Sequence, residues 1–209
     1  MYRSVQGWTV RRTDRYSQGV DSGPGRRAEL LEQAVGYLAT HGIADLSLAP
    51  MGEALGTSKR MLLYYFGSRE NLITEAIAAS RPDVAELFRS VHDEESLAAA
   101  AHALWHAITR GRQQRPIHIL FQVLALAPTQ PERYLTVARE AITAMVDPLV
   151  PVYRKLGYAG PDAAARASLL ISGLRGLCLD RIVTGDEERI EIAARALIAT
   201  AVAPPAPQT

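Results

Sequence analysis

The chain has 209 residues, 48% of them hydrophobic and 22% charged, ordinary proportions for a folded globular protein with room for one large core or two small ones. A formal net charge of +1 excludes a general attraction to polyanions, so any nucleic-acid surface must be local. The single cysteine, Cys178, excludes an internal disulfide, no apolar run approaches a membrane span, and no signal-peptide core opens the chain; the cytoplasm is the expected location.

Residues 1–25 are polar, glycine-rich and without a sustained period. With Arg3, Arg11, Arg12, Arg15, Arg26 and Arg27 set against Asp14 and Asp21, they read as a flexible basic arm able to add phosphate or minor-groove contacts, or as a solvated tail or leader. A first helix is expected over 26–41, with Leu31, Ala34, Val35 and Leu38 on its inner stripe and Gly42 at its end.

The stretch 47–72 carries the strongest pattern. Ser47 is placed to cap a short helix, with Pro50 in its first turn and Leu48, Met51 and Leu55 on one face. Gly56 breaks it, and Ser58 caps a second helix that turns Leu62 and Phe66 inward. Lys59 and Arg60 stand in that helix's first turn, where cations oppose the helix dipole, a choice that makes sense if an anion approaches. Gly67 closes the second helix, and Ser68 opens a third that runs to about residue 80. Helix, glycine-containing turn, helix is the outline of a helix-turn-helix, whose second helix enters the major groove N-terminus first. The leading residues are then Thr57, Ser58, Lys59 and Arg60, short polar or cationic groups suited to phosphates and base edges.

The run from Arg27 to Leu72 resembles the DNA-binding domain of TetR-family transcriptional regulators. The resemblance rests on an apolar helix ending at Gly42, on Leu46-Ser47-Leu48, on Leu55-Gly56-Thr57-Ser58, on Leu62-Leu63-Tyr64-Tyr65-Phe66, and on Ser68-Arg69-Glu70 before Leu72. It departs at Leu63, where the family usually has tyrosine, at Thr57, where Val or Ile is usual, and at Gly52, where Ala is common. The resemblance implies an all-α protein: a three-helix helix-turn-helix domain at 26–80, then a helical-bundle domain for ligand binding and dimerisation at 81–209 with a frayed tail at 203–209. It implies a homodimer on a palindromic operator in double-stranded DNA, in the manner of a repressor released by a small-molecule effector. Lys59 and Arg60 are the candidates for guanine contacts, and Ser47, Tyr64, Tyr65 and Arg69 for phosphate contacts.

Beyond a break at Pro82, helices are expected over 82–92, 96–110, 117–127, 131–156 with interruptions at Pro148 and Pro151, 162–184 and 186–202. The helix over 162–184 is apolar on more than one face, so it must be covered all round. The resemblance implies that it and the last helix pack on their copies in a second subunit, with Leu170, Gly173, Leu174 and Leu177 as candidate contacts. His102, Trp105 and His106, with Phe121, Gln122 and Tyr134 from later helices, have the mostly apolar composition of an effector pocket, though each residue singly also suits a core.

His102 and His106 stand at the i,i+4 spacing of paired metal ligands, but no carboxylate or cysteine at matching spacing accompanies them. No metal and no cofactor are therefore expected. Cys178 reads as packing, and Arg175, Asp180 and Arg181 as local pairs along one helix. Phosphate loops and nucleophile elbows are missing, so no enzyme is expected. The alternatives are a helical small-molecule-binding protein or enzyme without operator binding, and a metal sensor on the same fold.

Overall fold

The structure, a computed structural model, describes residues 24–110 and 116–204. The basic arm expected over 1–25 falls outside it up to residue 23, as does the tail from residue 205. Every regular element among the described residues is an α-helix: α1 (Pro24–His41), α2 (Leu48–Ala54), α3 (Lys59–Phe66), α4 (Arg69–Ser80), α5 (Val84–Leu87), α6 (Glu94–Thr109), α7 (Ile117–Leu126), α8 (Pro131–Val146), α9 (Leu149–Lys155), α10 (Gly160–Thr184) and α11 (Glu187–Val202).

The helix ends follow local chemistry. Asp93 and Ser96 form a capping box at α6: the Asp93 carboxylate accepts from the Ser96 amide at 2.8 Å, and the Ser96 hydroxyl accepts from the Asp93 amide at 3.1 Å. Asp186 caps α11, its carboxylate accepting from the Arg189 amide at 3.1 Å, and α10 ends at left-handed Gly185. The long helix expected over 131–156 breaks at Pro148, while Pro151 sits in the first turn of α9, where no amide is required. The helix expected over 82–92 shrinks to the single turn of α5. Pro82, Val84 and Phe88 are buried there and Leu87 and Val91 partly so, and the helical hydrogen bonding ends at Phe88.

The buried side chains form one continuous cluster from Leu30 to Ala201. α4 is its bridge, packing on α1 and α3 at one side and on α7 and α8 at the other. α10 runs through the second half, against α8, α9, α6 and α11. Its inner face (Ala163, Ala167, Leu170, Ile171, Leu174, Cys178) is covered within the chain, whereas Leu169, Leu179, Ile182 and Val183 stay exposed.

Candidate nucleic-acid interface

α2 and α3 cross at close range because Gly52 has no side chain. A Cβ there would lie 2.9 Å from the Ser58 carbonyl carbon and 3.0 Å from the Lys59 nitrogen, both backbone atoms with little freedom to yield. The turn is held by the Thr57 amide donating to the Gly52 carbonyl at 2.8 Å, and Gly56 takes φ +62. Ser58 then caps α3, its hydroxyl accepting from the Met61 amide at 3.2 Å. Leu62 and Phe66 are buried beneath, so the opposite face of α3 points to solvent.

Ser58, Lys59 and Arg60 are exposed at the leading end of α3, with Thr57 half-buried beside them. Neither Lys59 nor Arg60 enters an ion pair among the described residues. Tyr64 stands out on the flank at 70% exposure. Ser47 occupies the N-cap position of α2, but its hydroxyl makes no capping bond and lies exposed.

Two of the expected phosphate contacts are placed otherwise. The Tyr65 hydroxyl is buried with no hydrogen-bond partner, because the ring turns inward beside Phe66. Arg69 is half-buried and turned back into the protein. It donates to the backbone carbonyls of Ile43 (2.7 Å) and Leu46 (3.0 Å) and to the Tyr134 hydroxyl (3.1 Å), so its donors already have partners.

Arg27, counted in the sequence with the basic arm, instead holds the end of α3. Arg27 on α1 donates through Nη2 to both carboxylate oxygens of Glu75 on α4, at 2.7 and 2.6 Å, and through Nε to the Tyr65 carbonyl at 3.2 Å. Its guanidinium lies 5.1 Å over the Phe66 ring. Asn71 adds bonds to the Phe66 carbonyl (2.8 Å) and to Glu75 (3.1 Å). The last carbonyls of α3 have lost their helical partners; here α1 and α4 supply donors. No sequence spacing connects residues 27, 65 and 75, so no motif could have marked them.

The expected effector residues do not converge. His102 and His106 are exposed, while buried Trp105 donates its indole N–H to Glu191 of α11 at 3.0 Å. Gln122 and Tyr134 face the turn after α1, and Phe121 is half-buried. A small cavity lies where α4, α6, α7 and α8 meet. Its volume is about 30 Å³; Ile77, Ile108, Ile117, Leu120 and Met145 give it an almost wholly apolar wall, and Ser80 and Arg81 also line it. Ser80 and Pro116 also line an open cleft of about 610 Å³ between α1 and α4. No group of three or more metal-ligating side chains gathers among the described residues.

The expected subunit contacts also divide. Leu170 and Leu174 are buried within the chain, and a Cβ at Gly173 would strike Leu197 of α11 at 2.4 Å. Those three serve packing inside the chain, and Leu177 is half-buried. Among the described residues nothing lies within 4 Å of where a Gly176 Cβ would be. Of the α10 charges, Asp180 and Arg181 pair beyond their own helix, Asp180 accepting from Arg189 at 2.9 Å and Arg181 meeting Glu187 at 2.6 Å, while Arg175 donates to Ser172 on α10 at 3.0 Å. Burial pushes the Cys178 thiol up to about 11.

A family profile described as "Bacterial regulatory proteins, tetR family" matches residues 30–76, the whole of the helix-turn-helix and its supports. Over these residues the chain is similar to the tetR-family DNA-binding domain. The HTH-type transcriptional regulator BetI of Agrobacterium fabrum is 27% identical over 164 residues, covering 72% of this chain and 75% of BetI. Among solved structures, a TetR-family regulator from Cytophaga hutchinsonii aligns with a TM-score of 0.69 at 15% identity, covering 88% of this chain and 96% of that one. NalD of Pseudomonas aeruginosa, the secondary repressor of the MexAB-OprM multidrug efflux pump, aligns with a TM-score of 0.62 at 18% identity, covering 85% and 93%. These likenesses extend the shared fold over 85–88% of the chain, well beyond α1–α4. The function of this chain is DNA-binding regulation of transcription.

Proposed function

We propose that the chain is a cytoplasmic repressor without enzymatic activity, binding a palindromic operator as a homodimer and released by a small, largely apolar effector. The observation that carries the reading is the tip of α3: Lys59 and Arg60 are exposed and outside every ion pair among the described residues, on a helix anchored by Leu62, Phe66 and Arg27. In this reading residues 26–80 read DNA and residues 81–209 dimerise and bind the effector. Lys59 and Arg60 reach base edges, with Thr57 and Ser58 beside them, and Ser47 and Tyr64 reach phosphates.

A palindrome is read by two copies whose recognition helices lie about 34–36 Å apart, so the chain needs a two-fold mate. The outward stripe of α10 supplies the surface: Leu169, Leu179 and Val183 are exposed large apolar side chains around Gly176, and Ile192 of α11 joins them. Release follows if an effector enters the apolar space between α4, α6, α7 and α8 and favours one placement of α4. It shifts DNA affinity only by its differential affinity for the two states.

The test is selection of duplexes by the full-length chain from a random-sequence pool. A two-fold symmetric consensus, two chains per duplex and a steep salt dependence support the reading. Failure to enrich any sequence would show a small-molecule-binding protein that reads no operator. Leu179→Asp with Val183→Asp should yield monomers by sedimentation; if pairs persist, the dimer surface lies elsewhere.

A further inference from the structure

The turn between α1 and α2 is gripped from the far half of the molecule. The Ile43 amide donates to Gln122 Oε1 on α7 at 2.8 Å. The Ile43 carbonyl accepts from Arg69 Nη2 at 2.7 Å, and the same nitrogen donates to the Tyr134 hydroxyl on α8 at 3.1 Å. Arg69 Nε secures the Leu46 carbonyl at 3.0 Å. Both polar groups of one peptide segment are thus held, the amide by α7 and the carbonyl by an arginine resting on α8. The approach is close. Gly42 has φ +79, and Gln122 Oε1 stands 2.8 Å from where a Cβ would be, so a side chain there would displace the Gln122 amide from Ile43. Tyr134 is 1% exposed, so the α8 end of the link rests on packed core.

These links are not what builds the helix-turn-helix, which has its own core in Leu48, Met51, Leu62 and Phe66. They join it to two helices that wall the apolar cavity. Ile117 and Leu120 of α7 line that cavity, with Gln122 two residues further on; Met145 of α8 lines it, three turns beyond Tyr134. A shift of α7 against α8 must lengthen one hydrogen bond to Ile43 relative to the other, and such bonds weaken steeply with length and angle.

We propose that Gln122 and the Arg69–Tyr134 pair are positioning residues that transmit the state of the cavity straight to the turn before α2, in parallel with α4. They set the resting orientation of α3. The proposal rests on the DNA-binding reading above, and it gives Arg69 the task of coupling in place of phosphate contact.

Coupling is reciprocal, so DNA bound at α3 must be felt at α7. The experiment is amide hydrogen exchange on the full chain, with and without a duplex that the chain itself selects from a random-sequence pool. In the wild type, the duplex should change exchange within 117–126 by about fivefold or more, the low end of ordinary coupling. The response should vanish in Gln122→Ala and Tyr134→Phe while both variants still bind the duplex. Gln122→Glu, which keeps an acceptor for the Ile43 amide, should retain it. Unchanged protection of α10 and α11 in the free variants separates lost coupling from a damaged fold. Tyr134→Phe preserves the buried ring and keeps the test available if Gln122→Ala folds poorly. No response in the wild type, or an undiminished response in both variants, overturns the proposal. A wild-type chain that selects no duplex overturns the DNA-binding reading and this inference with it.

Discussion

Removing Arg27 tests how the recognition helix is anchored. Its guanidinium makes a two-oxygen contact with Glu75, a bond to the Tyr65 carbonyl and a contact over Phe66. Hydrogen bonds involving charged groups contribute about 1.5–3 kcal/mol each when well shielded. The Arg27 side chain is 43% exposed and Glu75 23%, so solvent screening brings the ion pair toward the surface value, at most about 1 kcal/mol. The Tyr65 bond and the Phe66 contact add to that, so Arg27→Ala should cost about 1–2 kcal/mol. Arg27→Lys keeps the charge but loses the planar fork that serves Glu75 and Tyr65 together, and should recover about half the loss. The assay is urea denaturation of Arg27→Ala, Glu75→Gln and the double variant. A coupling energy of about 0.5–1 kcal/mol is expected, typical of groups that share one network. If the two changes add within about 0.3 kcal/mol, or if Arg27→Lys matches the wild type, the fork does not anchor α3. Duplex affinity should fall in Arg27→Ala even though Arg27 touches no base, because the end of α3 loses its support.

Three further outcomes follow from the same geometry. Lys59→Ala and Arg60→Ala should each lower discrimination between consensus and altered duplexes by roughly 1–3 kcal/mol, measured by competition binding; uniform weakening across sequences would make them phosphate contacts instead. Gly52→Val should destabilise the chain by about 1–3 kcal/mol in thermal or urea melts, since the added atoms meet the backbone at the start of α3; a neutral result would show that α2 and α3 separate freely. Cys178 should resist thiol reagents at pH 8 until the chain unfolds, because its thiol is buried and ionises only near 11. As pH rises from 9.0, the ordinary value, toward 11, the unfolded chain ionises this thiol and the native one does not. Stability relative to Cys178→Ala should therefore fall across that window, and a flat difference would mean the thiol is not shielded.

The sequence alone located nearly every helix, because an apolar residue every three or four positions, a capping Ser or Asp and a breaking Gly or Pro are local signals. It also located the tip of α3, since Ser58, Lys59 and Arg60 are exposed by position in the helix rather than by any distant partner. It failed wherever a side chain's task depends on what lies across a gap in the sequence. Arg69 carries the same charge whether it meets a phosphate or three oxygens of its own chain, and only tertiary packing turned it toward Ile43, Leu46 and Tyr134. Tyr65 could not be told from Tyr64 until one ring was buried and the other left out. The apolar faces of α10 raised the expectation of an inner covering and an outer one. The fold assigned Leu170 and Leu174 to the inner one and left Leu169, Leu179 and Val183 outside, because which flank of a helix meets its own chain is set by neighbours that local sequence does not specify.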